Sequence, residues 1–232
     1  YQFGIIKKKQ IDTFLKMSKY YVPDKIFTIN DHNQNLLKHA IKKKSEIINT
    51  GCLKNKKFTI SNQKKILSKN VKKILVMPEG IPVEINTFLN FCKNHKDKNL
   101  NFTIRLHPIF RNNRYLERFN IKLNENIKFS KNSLHEDFKS HEFILYRGTA
   151  TIVDAINHQL IPIYLKKNSE ITKDPLFNYN KYHVINERSK LNNFFKKIEN
   201  KRFILERKNI SIFTRNYYKK PNINLIKKKL VK

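Results

Sequence analysis

Three short stretches carry the side chains of greatest chemical use: Pro78-Glu79-Gly80, Arg105-Leu106-His107-Pro108 and Arg147-Gly148-Thr149. Between them they supply a carboxylate, an imidazole and two guanidinium groups. Glu79 can serve as a general base or hold a substrate hydroxyl; it can equally be a carboxylate on a turn. His107 can donate to a phosphate or act as a general acid, or it can cap a loop. Arg147 offers a two-pronged fork to phosphate oxygens. Glycine is scarce, with Gly4, Gly51, Gly80 and Gly148 the full set, so each is expected where a side chain cannot fit. Gly148 stands before a predicted helix whose first N–H groups, on Thr149, Ala150 and Thr151, would face an anion together with the hydroxyls of Thr149 and Thr151. The plainer alternative is a threonine cap behind a turn glycine. Glu84 fits a first-turn acid favoured by the helix dipole.

The elements that would position these residues follow from apolar spacing. Ile26–Ile29 predicts a strand, and Asp31–Lys44 a helix with Asp31 as its N-cap. Glu46–Asn49 predicts a second strand, closed by Thr50-Gly51. Ile74–Met77 reads as a buried parallel strand, followed by a helix over Val83–Asn94 with Ile85, Phe88, Leu89 and Cys92 on one face. Further strands are predicted at Asn101–Leu106, Ile127–Phe129, Phe143–Tyr146, Ile161–Leu165 and Tyr182–Ile185. Between and after them come helices at Asn112–Phe119, from Ser133 (a capping box with Glu136), at Thr149–His158, Leu191–Ile198 and Arg202–Tyr218. This alternation predicts βαβ units and a doubly wound parallel sheet. In such a sheet, ligands bind at the carboxyl ends of the strands. All three polar stretches directly follow predicted strands, and their coincidence weighs more than any one of them.

Composition narrows the classes. The chain has 232 residues, 39% hydrophobic, enough for a core, and a net charge of +31. The excess is lysine, with nine arginines, and about thirty asparagines accompany it. That pattern fits a composition drift with solvated helix faces better than a dedicated nucleic-acid binder, which clusters arginine and interleaves aromatics. A basic face also adheres to anionic lipid. Cys52 and Cys92 are too few for a disulfide scaffold or a four-cysteine zinc site. There is no HExxH, CxxC or Asp-x-Asp, so no metal is expected, and no GxGxxG, P-loop or GxSxG. No apolar run reaches membrane-span length, and position 1 is Tyr, which suggests a fragment.

Taken in order, Ile74 to Gly80 (ILVMPEG), Arg105 to Pro108 (RLHP), Leu145 to Thr149 (LYRGT) and Pro162 to Leu165 (PIYL) resemble the C-terminal, donor-binding half of GT-B-type glycosyltransferases, with bacterial surface-carbohydrate and capsule biosynthesis proteins nearest. Residues 1–53, with Val22 to Ile26 (VPDKI) and Asn49-Thr50-Gly51, resemble the end of a truncated N-terminal, acceptor-side α/β domain. The implied organisation is a connector at 54–71, a Rossmann-like nucleotide-sugar domain at 72–200 and C-terminal helices at 201–232. The motif order is similar to bacterial sialyltransferases. Carried over, Glu79 is the catalytic base before Gly80, His107 the acid or donor-phosphate contact, and Thr149 a phosphate contact; the reading of the strand ends adds Gly80, Arg105, Arg147, Gly148 and Thr151 to the donor- and phosphate-binding set. Pro78 stands where those enzymes have an acid, and their serine pair is missing.

The resemblance implies a metal-independent glycosyltransferase of bacterial surface polysaccharide synthesis, with a nucleotide sugar as donor and no cofactor. It implies a lipid-linked or surface glycan acceptor and a cytoplasmic location, and the basic surface would hold the enzyme peripherally on the anionic inner face of the plasma membrane. Two other readings remain: a non-catalytic nucleotide-sugar-binding member of the same fold, and a basic nucleic-acid-binding protein. The sugar-nucleotide 2-epimerases, a related fold, have a Gly-rich, paired-Glu helix start that this chain lacks.

Overall fold

The structure is a computed structural model. It describes residues 2–3, 11, 16, 21, 23–41, 45–52, 67–68, 70–110, 123–168, 174–177, 179, 183–187, 189–197, 200–215 and 217–230. The helix expected at 112–119 and most of the connector at 54–71 lie outside these residues.

The chain forms two compact units. The larger comprises Ile60–Glu170 and Tyr179–Ser211. Its strands are β4 (Lys72–Met77), β5 (Leu100–Ile104), β6 (Ile127–Phe129), β7 (Phe143–Tyr146), β8 (Ile161–Lys166) and β9 (His183–Asn186). They make one parallel sheet in the order β6-β5-β4-β7-β8-β9. The chain enters at β4, steps outward to β6, returns beside β4 as β7 and steps outward the other way. That is the doubly wound order with its switch point between β4 and β7. Ile74, Leu75, Val76 and Met77 are all buried, as are Phe143 to Tyr146, so both faces of the central strands are covered. Ile74, Val76, Ile104, Leu145 and Ile163 share a core with Ile85, Phe88 and Leu89 of the following helix.

That helix, α2 (Pro82–Lys93), starts one residue before the expected position, because Pro82 has no N–H to lose in a first turn. Helix α3 (Leu134–Ser140) has the predicted capping box: Ser133 Oγ accepts the Glu136 N–H, and Glu136 Oε2 accepts the Ser133 N–H. Helix α4 (Ile152–Asn157) is shorter than the expected 149–158, since residues 149–151 form a turn before it. Helices α5 (Leu191–Lys197) and α6 (Asn200–Arg215) follow β9.

The smaller unit comprises Tyr1–Thr59, Ile171–Asn178 and Ile212–Lys232. Strands β1 (Gln2–Phe3), β2 (Lys25–Thr28) and β3 (Glu46–Asn49) run parallel, in that order. Helix α1 (Asp31–Ile41) buries Leu37, Ala40 and Ile41 against Ile26. Its cap is Asn30, whose Oδ1 accepts the Asn33 N–H at 2.7 Å; Asp31, the expected cap, instead pairs with Lys219. The domain division differs from the expected 1–53 and 72–200. Residues 212–232 return to the first unit, where Cys52 N donates to Lys219 O (2.9 Å) and Asn222 N to Thr50 O (2.8 Å). The last helix, α7 (Ile223–Leu230), was not among the expected elements.

Candidate active site

All eight residues expected in the site belong to the larger unit, at the carboxyl ends of β4, β5 and β7. Register brings these ends together. Met77 pairs with Tyr146, so Glu79 and Gly148 follow on adjacent strands, and Arg105 N donates to Val76 O at 2.9 Å.

Gly148 does not need its missing side chain for an unusual backbone angle; it needs the space. A Cβ there would lie 1.7 Å from Glu79 Oε1. The carboxylate therefore sits against the backbone of the β7–α4 loop, at the switch point. Gly80 plays a similar part toward β5: its Cβ would lie 3.0 Å from His107 Nδ1 and 3.3 Å from Ile109 Cγ2. Glu79, Gly80, His107 and Gly148 thus meet at one edge of the sheet.

His107 is exposed and begins a short 3-10 turn at Pro108–Phe110, with Phe110 N donating to His107 O at 2.9 Å. Its Nδ1 accepts from Ile109 N at 3.4 Å. In a neutral ring this leaves Nε2 as the donating nitrogen. Exposed Ile81 and Ile109 give the edge an apolar rim.

The arginines are a correction. Arg147 is 1% exposed; its Nε pairs with Glu84 Oε2 at 2.8 Å and its Nη1 donates to Leu165 O at 3.0 Å. Arg105, 8% exposed, pairs through Nη1 with Asp137 Oδ2 at 2.6 Å and donates to Asn132 O at 2.8 Å. Neither guanidinium is presented as an open phosphate fork. Both are beams beneath the edge: Arg147 ties the ends of β7 and β8 to the first turn of α2, and Arg105 ties the end of β5 to α3. Ser130 Oγ joins the second network by donating to Asp137 Oδ2 at 2.6 Å. Desolvating a charge is tolerable only when it is paired and hydrogen-bonded, and each arginine is.

The expected anion cradle is also narrower than drawn. Thr149 and Thr151 are half-buried, and Thr149 Oγ1 takes the Thr151 N–H at 3.4 Å, so that donor is engaged within the turn. Thr151 is the N-cap of α4 without a side-chain cap bond.

Sequence reading missed Glu84 and Asp137 as partners of the two arginines, though it placed Glu84 in a first helical turn. One signal was available. In a chain where lysine is the default cation, an arginine at a strand end suggests a buried pair, because its weakly hydrated planar fork suits one. A cavity of about 620 Å³, lined by Lys73, Asn101, Thr103 and Lys128 on one face of β4–β6, includes none of the site residues. Among the described residues, no three His, Cys, Asp or Glu side chains gather as a metal site, and no helix is long and apolar enough to cross a membrane.

No protein-family model and no curated protein sequence matches the chain. Solved structures do. The Staphylococcus aureus MnaA structure with UDP aligns at a TM-score of 0.51 and 16% identity, over 85% of this chain and 57% of that one. The glycosyltransferase SnogD from Streptomyces nogalater aligns at 0.48 and 9%, over 90% and 73%. The chain has a GT-B-type fold. The six-stranded parallel sheet is the Rossmann-like part of that fold. The chain spans little more than half the length of the MnaA structure.

Proposed function

We propose that this protein is a glycosyltransferase of bacterial surface polysaccharide synthesis, using a nucleotide-sugar donor whose phosphates lie at the β4–β5–β7 edge. The observation that carries the reading is the meeting of Glu79 with Gly148 and of His107 with Gly80, at the switch point of a GT-B-type sheet. The acceptor hydroxyl attacks the anomeric carbon while Glu79 takes its proton. The bond from that carbon to the phosphate oxygen breaks, and its electron pair leaves on the nucleotide. His107 Nε2–H and the backbone of the Gly148–Thr149 turn meet that charge, electrostatic help that requires no metal. Arg105 and Arg147 hold the loops that carry these groups. The acceptor is a lipid-linked or surface glycan, and the lysine-rich surface keeps the protein on the anionic inner face of the membrane.

The test is thermal stabilisation against a panel of nucleotides and nucleotide sugars. A ligand at 100 times its Kd adds about 2.7 kcal/mol, roughly 5–10 °C for a chain of this length. The expected result is a selective shift for one base, lost in His107→Ala. Sugar transfer or donor hydrolysis then separates an enzyme from a binding-only relative. A panel without any shift, alongside RNA binding of steep salt dependence, would sink the proposal.

A further inference from the structure

We infer that α7 is the element that seats this protein on an anionic lipid bilayer, with Ile223 and Leu230 entering the interface and Lys227 meeting the headgroups. This rests on the membrane half of the proposed function and is independent of the nucleotide site.

The orientation of α7 is fixed by its own contacts. Asn222 caps it, with Oδ1 accepting the Leu225 N–H at 3.0 Å, and Asn222 N is held by Thr50 O. At the other end Lys25 Nζ donates to Lys229 O at 2.7 Å, and Lys229 Nζ pairs with Glu46. Lys229 therefore faces the first residues of β2 and β3, with half-buried Leu225 one turn before it on the same side. At 100° per residue the opposite side presents Ile223, Lys227 and Leu230, flanked by half-buried Ile226. Ile223 is 46% exposed and Leu230 65%, and Lys227 and Lys228 are exposed.

An aliphatic stripe about 10 Å long, with Lys227 beside it and able to lay its stem along it, fits the boundary between acyl chains and anionic headgroups. The other occupants fit less well. A second copy carrying the same +31 charge is repelled. Nucleic acid is gripped by aromatic and arginine side chains, and α7 has neither.

The chain contains no tryptophan, so Leu230→Trp installs a unique reporter. With vesicles of phosphatidylcholine plus phosphatidylglycerol, its emission should shift to the blue; with phosphatidylcholine alone it should not. In vesicle co-sedimentation of the otherwise unaltered chain, Ile223→Ser with Leu230→Ser should lower partitioning about tenfold per side chain. Lys227→Gln should lower it about fivefold. Thermal melts should match the parent in every case, because these side chains are exposed. Vesicle binding by the Leu230→Trp variant with an unshifted emission would place the membrane contact elsewhere and overturn the inference. So would an absence of vesicle binding, or an RNA affinity lost with the two serine substitutions. No nucleotide enters these readouts, so failure of the donor site is read separately.

Discussion

At Gly148 the space of an absent side chain is filled by the carboxylate of Glu79. That carboxylate is the far end of a flexible side chain, so a methyl group at 148 can push it aside at little cost in stability. Gly148→Ala is expected to melt close to the parent but to lose most of its transfer activity; equal activity would remove Glu79 from the mechanism. Glu84 behaves in the opposite way. It is buried against Arg147, and Glu84→Ala leaves an uncompensated guanidinium, an expected cost of about 3–5 kcal/mol in denaturant unfolding. Replacing both by apolar residues, Glu84→Leu with Arg147→Met, should recover much of that loss. If the single and double variants are equally unstable, the pair is not the source of the penalty.

Two elements carry histidines whose pKa burial lowers. His183 on β9 is pushed down to about 4, by desolvation first and by nearby Arg202 second; it contacts Glu206 of α6 at 2.5 Å. His32 in α1, set edge-on to Phe213, is also lowered by desolvation. A group with a depressed folded-state pKa binds fewer protons folded than unfolded between the two values. Its stability contribution is therefore complete above about pH 6.5 and lost as pH falls toward the folded value. Glu206 is raised by burial and offsets part of this by taking up its proton early. Denaturant midpoints should fall between about pH 7 and about pH 5. A variant with His32→Gln and His183→Gln should show a flatter profile over that range; an unchanged slope would assign the dependence to other groups.

The molecule is organised so that its smaller sheet is closed by distant chain. Gly51, at φ 76°, leaves no room for a Cβ beside Lys220 O, and Asn30 Nδ2 donates to Tyr217 O at 2.6 Å. Removing residues 217–232 should therefore speed amide exchange in β2 and β3 while β4 and β7 keep their protection. Equal loss in both sheets would show that the two units unfold as one.

The alternation of strands and helices, the parallel sheet of the larger unit and the chain positions of Glu79, Gly80, His107 and Gly148 were all legible in the residues, because apolar periodicity, scarce glycines and capping signals are local. So was the coincidence of polar stretches at strand ends, which came side by side once β4 lay between β5 and β7. What was not legible was which charges meet. Arg147 and Glu84 are 63 residues apart and Arg105 and Asp137 are 32 apart, and no local pattern marks either pair. Packing alone turned both arginines from ligand forks into buried struts, and it alone returned the tail to the first unit and gave α7 an outward face. Pairing of buried charges depends on which ends the sheet brings side by side, and that is a property of the folded chain.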